Sequence, residues 1–242
     1  MSVTHLSCII PAFNEAERIG RVLAAVARHP LIDEVIVVDD GSTDATPDVV
    51  AGVARVRLVR LGRNSGKTAA LRAGLMLARA PTVLLLDADL VGLKPADVTA
   101  LVRPVLDARA DVAISLRGNA PRLWRMIGLD YISGERVLPM EFLRPHLGSL
   151  VNLPPFAFEV WLNRLFIERR ARLAIVPWPG VRSPFKQTKL GLLAGMRADV
   201  GMMRDIFRTV PPLRAAAQIR AMRGLRVRPG APVGQGARTD RP

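Results

Sequence analysis

Among 242 residues there is a single cysteine, Cys8. An internal disulfide is therefore excluded, and the chain reads as intracellular. Cys8 lies in an apolar run, where a buried structural thiol is expected rather than a nucleophile. Long hydrophobic stretches are also missing. Runs such as residues 83–86 are far too short to cross a bilayer, so any membrane role is expected to be peripheral. No basic segment followed by a long apolar stretch and a cleavage site opens the chain, so no signal peptide is expected. Three histidines, His5, His29 and His146, are scattered without ligand spacing and receive no role. No G-x-G-x-x-G occurs, which argues against a dinucleotide dehydrogenase. Asn64-Ser65-Gly66-Lys67-Thr68 ends like a phosphate-binding P-loop. Yet the position that must be glycine is Leu61, and the segment follows the third strand rather than the first, so that reading is rejected. No internal repeat is visible.

Half of the residues are hydrophobic, enough for one compact domain with a large core. The formal net charge of +14 favours anionic partners: nucleotide phosphates, nucleic acid or an anionic membrane surface. The excess concentrates at the C-terminus, where residues 201–242 hold nine arginines against two aspartates. The chain is accordingly read as a main domain over 1–205 and a basic segment, helix and tail, over 206–242. In that segment Met203, Ile206 and Phe207 suggest an amphipathic helix continuing past Pro211 and Pro212, and the last dozen residues are expected to be disordered.

Strand and helix signals alternate in the first half. Residues 6–10 read as a strand ended by Pro11, with Asn14 capping the next helix and Glu17 at the capping-box position. Ile19, Val22, Leu23 and Val26 then follow helical spacing. Strands are expected at 34–38, 56–60, 82–86 and 111–116. Helices are expected from Asp44 as a cap through Val49, Val50 and Val53, over 66–79, and around Val98, Leu101, Val102 and Val105. Residues 117–160 read as site-covering loops with a short helix, 161–170 as a helix, 175–176 as a short strand and 183–191 as a basic loop. The fold class is α/β, a mostly parallel sheet between helices, which places ligands beyond the carboxyl ends of the strands.

The polar clusters fall at those ends. Asp87 and Asp89 follow four apolar residues and stand two positions apart, so both point the same way while the chain stays extended. Two such carboxylates repel unless a cation lies between them, and oxygen ligands with open positions suit Mg²⁺ or Mn²⁺. A solvated turn with Asp89 as a helix cap is the alternative. Asp39 and Asp40 end the second strand, where carboxylates can accept from a base or ribose, or simply make an Asp-Gly turn. Lys67 at a helix start can attract phosphate. Arg117 and Arg136 suit bidentate phosphate contact, or ordinary surface. Glu159 lies in an apolar setting and can serve as a base, or pair with Arg164 or Arg169.

Taken together, the segments CIIPAFNE (from Cys8), VVDDGSTD (from Val37) and DADL (from Asp87) resemble family 2 glycosyltransferases, in order and at the usual separations. DADL and Ser133-Gly134-Glu135-Arg136 are closest in flavour to dolichyl-phosphate mannose synthases and related bacterial enzymes. The resemblance implies the GT-A, Rossmann-like fold and inversion at the anomeric carbon. It implies that Pro11, Ala12, Phe13 and Glu15 line a nucleoside pocket, that Asp40 contacts the base with Asp39 in support, and that Lys67 approaches the nucleotide. Asp87 and Asp89 would hold the metal, with Asp89 also counted as catalytic. Arg117 and Arg136 would bind acceptor phosphate, and Glu159 would lie in the acceptor region. The sequence departs at Val91, where those synthases carry an extra metal-contacting Gln, and at Arg182 and Ser183, where relatives often carry a His. The appended transmembrane helices of some members are not seen.

The expectation is thus a cytoplasmic, peripherally membrane-associated hexosyltransferase. It would take a sugar from a UDP- or GDP-linked donor to an acceptor such as a polyprenyl phosphate, with no nucleic-acid partner. A sugar nucleotidyltransferase and a non-catalytic nucleotide or nucleic-acid binder are the rival classes.

Overall fold

The computed structural model describes residues 6–153, 157–183 and 211–227. Seven strands form one sheet in the order β3-β2-β1-β4-β6-β5-β7. They are β1 (Leu6–Ala12), β2 (Glu34–Asp39), β3 (Val56–Arg60), β4 (Thr82–Leu85), β5 (Val112–Arg117), β6 (Arg136–Pro139) and β7 (Leu173–Trp178). All pairings are parallel except those of β6, which runs against both β4 and β5. The helices are α1 (Ile19–Val26), α2 (Thr46–Ala51), α3 (Lys67–Leu77), α4 (Pro95–Leu106), α5 (Arg122–Ile127), α6 (Met140–Leu143), α7 (Ala157–Glu168) and α8 (Pro212–Gly224).

The central strands are apolar on both faces because helices cover both. Ile9, Ile36, Val83 and Ile114 point into a core with Leu71 and Leu75 of α3 and Leu162 and Phe166 of α7. Their neighbours Cys8, Val37, Leu84 and Ala113 point the other way, against Leu23 of α1 and Leu101 of α4. Cys8 is buried there as expected, and burial raises its thiol pKa well above the ordinary value.

Several local expectations are corrected. Pro11 does not end β1, which pairs through Ala12 with Asp39. The carbonyl of Ile9 accepts from Leu86 on the β4 side, so Pro11, two positions on, faces that same side. There the ladder with β4 has already stopped at Ile9, and the proline's missing donor costs no ladder bond. Asn14 is not a helix cap. α1 starts at Ile19 after a turn closed by the Glu15 carbonyl, with no side-chain cap and with Glu17 exposed. Nor does Asp44 occupy the N-cap of α2, which is Ala45; from one residue further out it accepts from the Thr46 N–H at 2.9 Å.

Where loops and a short helix were expected, residues 117–153 hold α5, β6 and α6, and α7 begins at Ala157 rather than 161. The strand expected at 175–176 spans Leu173–Trp178. Of the basic segment, α8 packs on the body of the protein. Ala215 and Met222 enter the core beside α7, Gln218 accepts from the Tyr131 hydroxyl, and the Val227 N–H donates to the Leu173 carbonyl. Met203, Ile206, Phe207, most of the basic loop at 183–191, the last dozen residues and His5 lie outside the described residues.

Candidate functional site

The ends of β1, β2 and β4 and the start of β6 meet at one edge of the sheet. Gly41 turns the chain after β2 at φ +72°, and a Cβ there would stand 2.5 Å from the Arg63 carbonyl carbon. The loop that follows is laced to the one after β1. Asn14, at φ +56°, donates its N–H to Ser42 Oγ and accepts from the Thr43 N–H through Oδ1, both at 2.9 Å. The Glu15 N–H donates to Thr46 Oγ1 and the Ala16 N–H to Asp44 Oδ2. Pro11, Ala12, Phe13 and Glu15 are thus held against the DGSTD loop. Phe13 is exposed, and Glu15 pairs with Arg18 at 2.7 Å.

The two aspartates ending β2 face different partners. Asp39 is fully buried, accepting from the Ser42 N–H and pairing with Arg60. Asp40 uses both oxygens, one on the Ser65 N–H and one on the Gly66 N–H, each at 2.8 Å. It therefore anchors the turn that launches α3, whose first residue is Lys67. In this arrangement neither carboxylate is left open toward solvent.

Lys67 bridges two acids. Its Nζ lies 2.7 Å from Asp87 Oδ1 and 3.0 Å from Glu159 Oε1. Burial alone would lower the pKa of this lysine, but the charges of Asp87 and Glu159 outweigh it and raise the pKa above the ordinary value. Burial would likewise raise Asp87, yet Lys67 and, further off, Arg117 and Arg136 hold it below the usual carboxylate range. Gly134 fits against Asp87, since a Cβ there would come within 2.6 Å of Oδ1. A cavity of about 320 Å³ opens beside Lys67 and Glu159, walled by Leu153 and Phe158. Glu159 has neither of the partners considered for it. Arg164 pairs with Glu168, and Arg169 stacks over Phe142.

Asp89 differs from its neighbours. Among the described residues it forms no ion pair, and its contact is the Ser183 hydroxyl at 3.1 and 3.2 Å. Burial first, then the charge of Asp87, then those of Glu15 and Glu135, push its pKa up to about 6, while the Ser183 bond opposes them. The divergent positions explain how Ser183 arrives. Val91 and Arg182 exchange backbone hydrogen bonds at 2.8 and 2.9 Å, which carries Ser183 to the carboxylate.

Behind this edge lies a second ionic group. Arg117 is nearly buried and pairs with Asp130 at 3.1 Å and Glu135 at 3.5 Å, both fully buried. Burial would lower its pKa, but the two acids raise it. Arg136 has no exposure at all. It donates to the Ser133, Glu159 and Tyr131 carbonyls and to Asn163 Oδ1, and burial lowers its pKa to about 10. An internal arginine satisfied in this way holds the site's frame together and offers no open face to an acceptor.

Asp87, Asp89, Asp130, Glu135 and Glu159 stand against Lys67, Arg117 and Arg136, a formal excess of two negative charges. Among the described residues no three His, Cys, Asp or Glu side chains converge on one point. A hard divalent cation that keeps water and substrate-phosphate ligands fits this donor set, because it needs only one or two carboxylates. The orphaned charge on Asp89 is what such an ion would relieve.

Gly134, Asp130 and Asn163 received no role from the sequence, although Gly134 carried a signal as part of Ser-Gly-x-Arg. Ser183 was marked in the sequence only as a departure from relatives that carry a His, and its contact with Asp89 comes from long-range packing.

Residues 7–158 match the family model described as glycosyl transferase family 2. A dodecaprenyl-phosphate galacturonate synthase of Rhizobium johnstonii is 38% identical over 124 residues, which is 48% of this chain and 36% of that protein. A dolichyl-phosphate beta-glucosyltransferase of Drosophila melanogaster is 37% identical over 178 residues, 65% of this chain and 49% of that one. The chain thus spans about a third to a half of the length of these relatives. Among solved structures, a glucosyl-3-phosphoglycerate synthase from Mycobacterium tuberculosis with Mn²⁺, UDP-glucose and phosphoglyceric acid has a TM-score of 0.62 at 23% identity. The match covers 76% of this chain and 73% of that one. The same enzyme with Mg²⁺ and UDP gives 0.61. The shared fold is the GT-A arrangement that the sequence implied.

Proposed function

The chain belongs to glycosyl transferase family 2, and on that footing we propose that it moves a sugar from a nucleoside-diphosphate donor to an acceptor phosphate of the polyprenyl kind, with inversion. The observation that carries this reading is the pair Asp87 and Asp89 at the end of β4, one neutralised by Lys67 and the other without a cation. The relatives with polyprenyl- or dolichyl-phosphate names support the acceptor class. The structural neighbour crystallised with Mn²⁺ or Mg²⁺ and a uridine nucleotide supports the donor and the metal.

Asp87 and Asp89 would hold Mg²⁺ or Mn²⁺, which when bound neutralises the diphosphate as it leaves. Pro11, Ala12, Phe13 and Glu15 flank the nucleoside, and Asp39 and Asp40 act on it by fixing the loops around it. Asp40 holds the Ser65–Gly66 turn so that Lys67 and the first N–H groups of α3 face the leaving group. An acceptor oxygen forms the new bond to the anomeric carbon as the bond to the diphosphate breaks, and the electron pair departs with the diphosphate. A phosphate acceptor is already ionised, so Glu159 is assigned to holding Lys67 rather than to proton removal. Arg117 supports the acceptor phosphate, and Arg136 supports the frame. No helix among the described residues is long and apolar enough to cross a membrane. We place the protein at the inner membrane face on the cytoplasmic side, with residues 1–205 as its catalytic part.

The test is a panel of UDP- and GDP-sugars with undecaprenyl phosphate or free phosphate as acceptor, in Mn²⁺, Mg²⁺ or EDTA. Turnover with one donor, its loss in EDTA, and a fall of at least about a hundredfold in Asp89→Ala are expected. Turnover that survives both EDTA and Asp89→Ala would overturn the reading.

A further inference from the structure

Six large apolar side chains stand well exposed on the described surface, and Phe13 and Val91 belong to the catalytic edge. Of the other four, Leu123 and Met126 lie on α5 and Leu213 on α8. Met126 and Leu213 are each 85% exposed. α5 and α8 face each other across a cleft of about 760 Å³, floored by Trp124, Ile127 and Ile219. The charge on this face has one sign. Residues 118–129 and 211–227 contain no aspartate or glutamate, and Arg122, Arg125, Arg214, Arg220, Arg223 and Arg226 are all exposed. None of the six forms an ion pair among the described residues.

Unpaired arginines around exposed aliphatic side chains suit one chemistry best. Headgroups of an anionic bilayer meet the guanidinium groups, while the aliphatic tips enter the boundary with the acyl chains. Single-stranded nucleic acid is bound with exposed aromatic rings that stack bases, and the one aromatic on these helices, Trp124, is buried; duplex phosphates would meet the arginines but leave the exposed aliphatic tips without a partner. We propose that α5 and α8 together form a docking face for an anionic lipid leaflet. This face is made of described residues and draws on none of the basic residues beyond 227. It is joined to the site by a short segment, since α5 starts five residues after Arg117 at the end of β5. A leaflet held there presents its lipid phosphates near the acceptor end of the site. That consequence rests on the proposed transfer reaction, whereas the docking does not.

The experiment is co-sedimentation of the full chain with phosphatidylcholine vesicles, with and without phosphatidylglycerol. Donor turnover with a soluble phosphate acceptor is followed in parallel. Wild type should bind the anionic vesicles and not the neutral ones. Each basic residue at such a surface is worth about fivefold in partitioning, so Arg125→Gln with Arg223→Gln should weaken binding about 25-fold. Met126→Ser with Leu213→Ser should weaken it about tenfold or more. Both pairs should keep wild-type turnover and circular dichroism, because neither touches the site or the core. Equal binding to neutral and anionic vesicles would overturn the proposal. So would variants that dock as wild type does, or a defect seen with single-stranded DNA but not with vesicles. Docking that persists in a chain with no turnover on any donor would sink the reaction and leave the surface standing.

Discussion

Asp89 carries a charge that the metal-free fold opposes. Its carboxyl ionises near pH 6 in the folded chain and near its ordinary value of 3.8 when unfolded. The native state therefore keeps a proton that the unfolded chain has already lost. Stability falls as pH rises between those values, and the whole penalty is present above pH 6. The shift corresponds to at most about 3 kcal/mol before solvent screening. Asp89→Asn should accordingly raise the melting temperature of the EDTA-treated protein near neutral pH by a few degrees and lose most of that gain near pH 4. Thermal melts at the two pH values check this, and an Asn variant no more stable at neutral pH would refute it. Asp87 and Asp89 were visible in the sequence because their spacing and the apolar run before them are local facts. The contact of Ser183 with Asp89 was not, because 94 residues separate the two and the Val91–Arg182 pairing brings them together. Arg136 was visible as a residue but misread in its setting, since nothing local distinguishes a buried arginine from an exposed one.

Between elements, Asp40 is a link on which the site depends. It ties the end of β2 to the start of α3 through two backbone N–H groups. Asp40→Asn turns one acceptor into a donor that faces a donor, so one buried N–H loses its partner at a cost of about 1–3 kcal/mol. Denaturant unfolding should show that loss, and the KM for the nucleotide sugar should rise because the Lys67 turn loosens. A variant with reduced stability but an unchanged KM would detach Asp40 from the donor. The strands that alternate with helices were legible to within a residue or two, because β-branched runs and helical spacing repeat cleanly there. β6 was not. It is four residues long, ends on Pro139, and runs backward. Its direction has a consequence for the site. Ser133, Gly134 and Glu135 reach the catalytic edge before their chain enters the sheet, whereas the other segments reach it on leaving. A search for polar residues after strands therefore passes them by.

At the scale of the whole molecule, α8 belongs to the folded body. Met222 is fully buried in the core that α7 shares with the sheet. Met222→Ala should cost about 2–5 kcal/mol, read from chemical denaturation. A helix merely appended to the surface would lose no more than about 0.5 kcal/mol. The basic composition of this segment was evident in the sequence. Its seating was not, because alternate arginines mask the few apolar contacts that hold it. The formal charge of +14 over the whole sequence contrasts with a local excess of two negative charges at the site. The two fields act over different ranges. The outer one draws any anion to the surface from about a Debye length away, roughly 8 Å in physiological salt. The inner one turns back an anion that arrives bare. On the proposed reaction, a nucleotide sugar carrying its own divalent ion would meet no such reversal, and the change of sign between the chain as a whole and its site would then sort chelated donor from free nucleotide before any base or sugar is read.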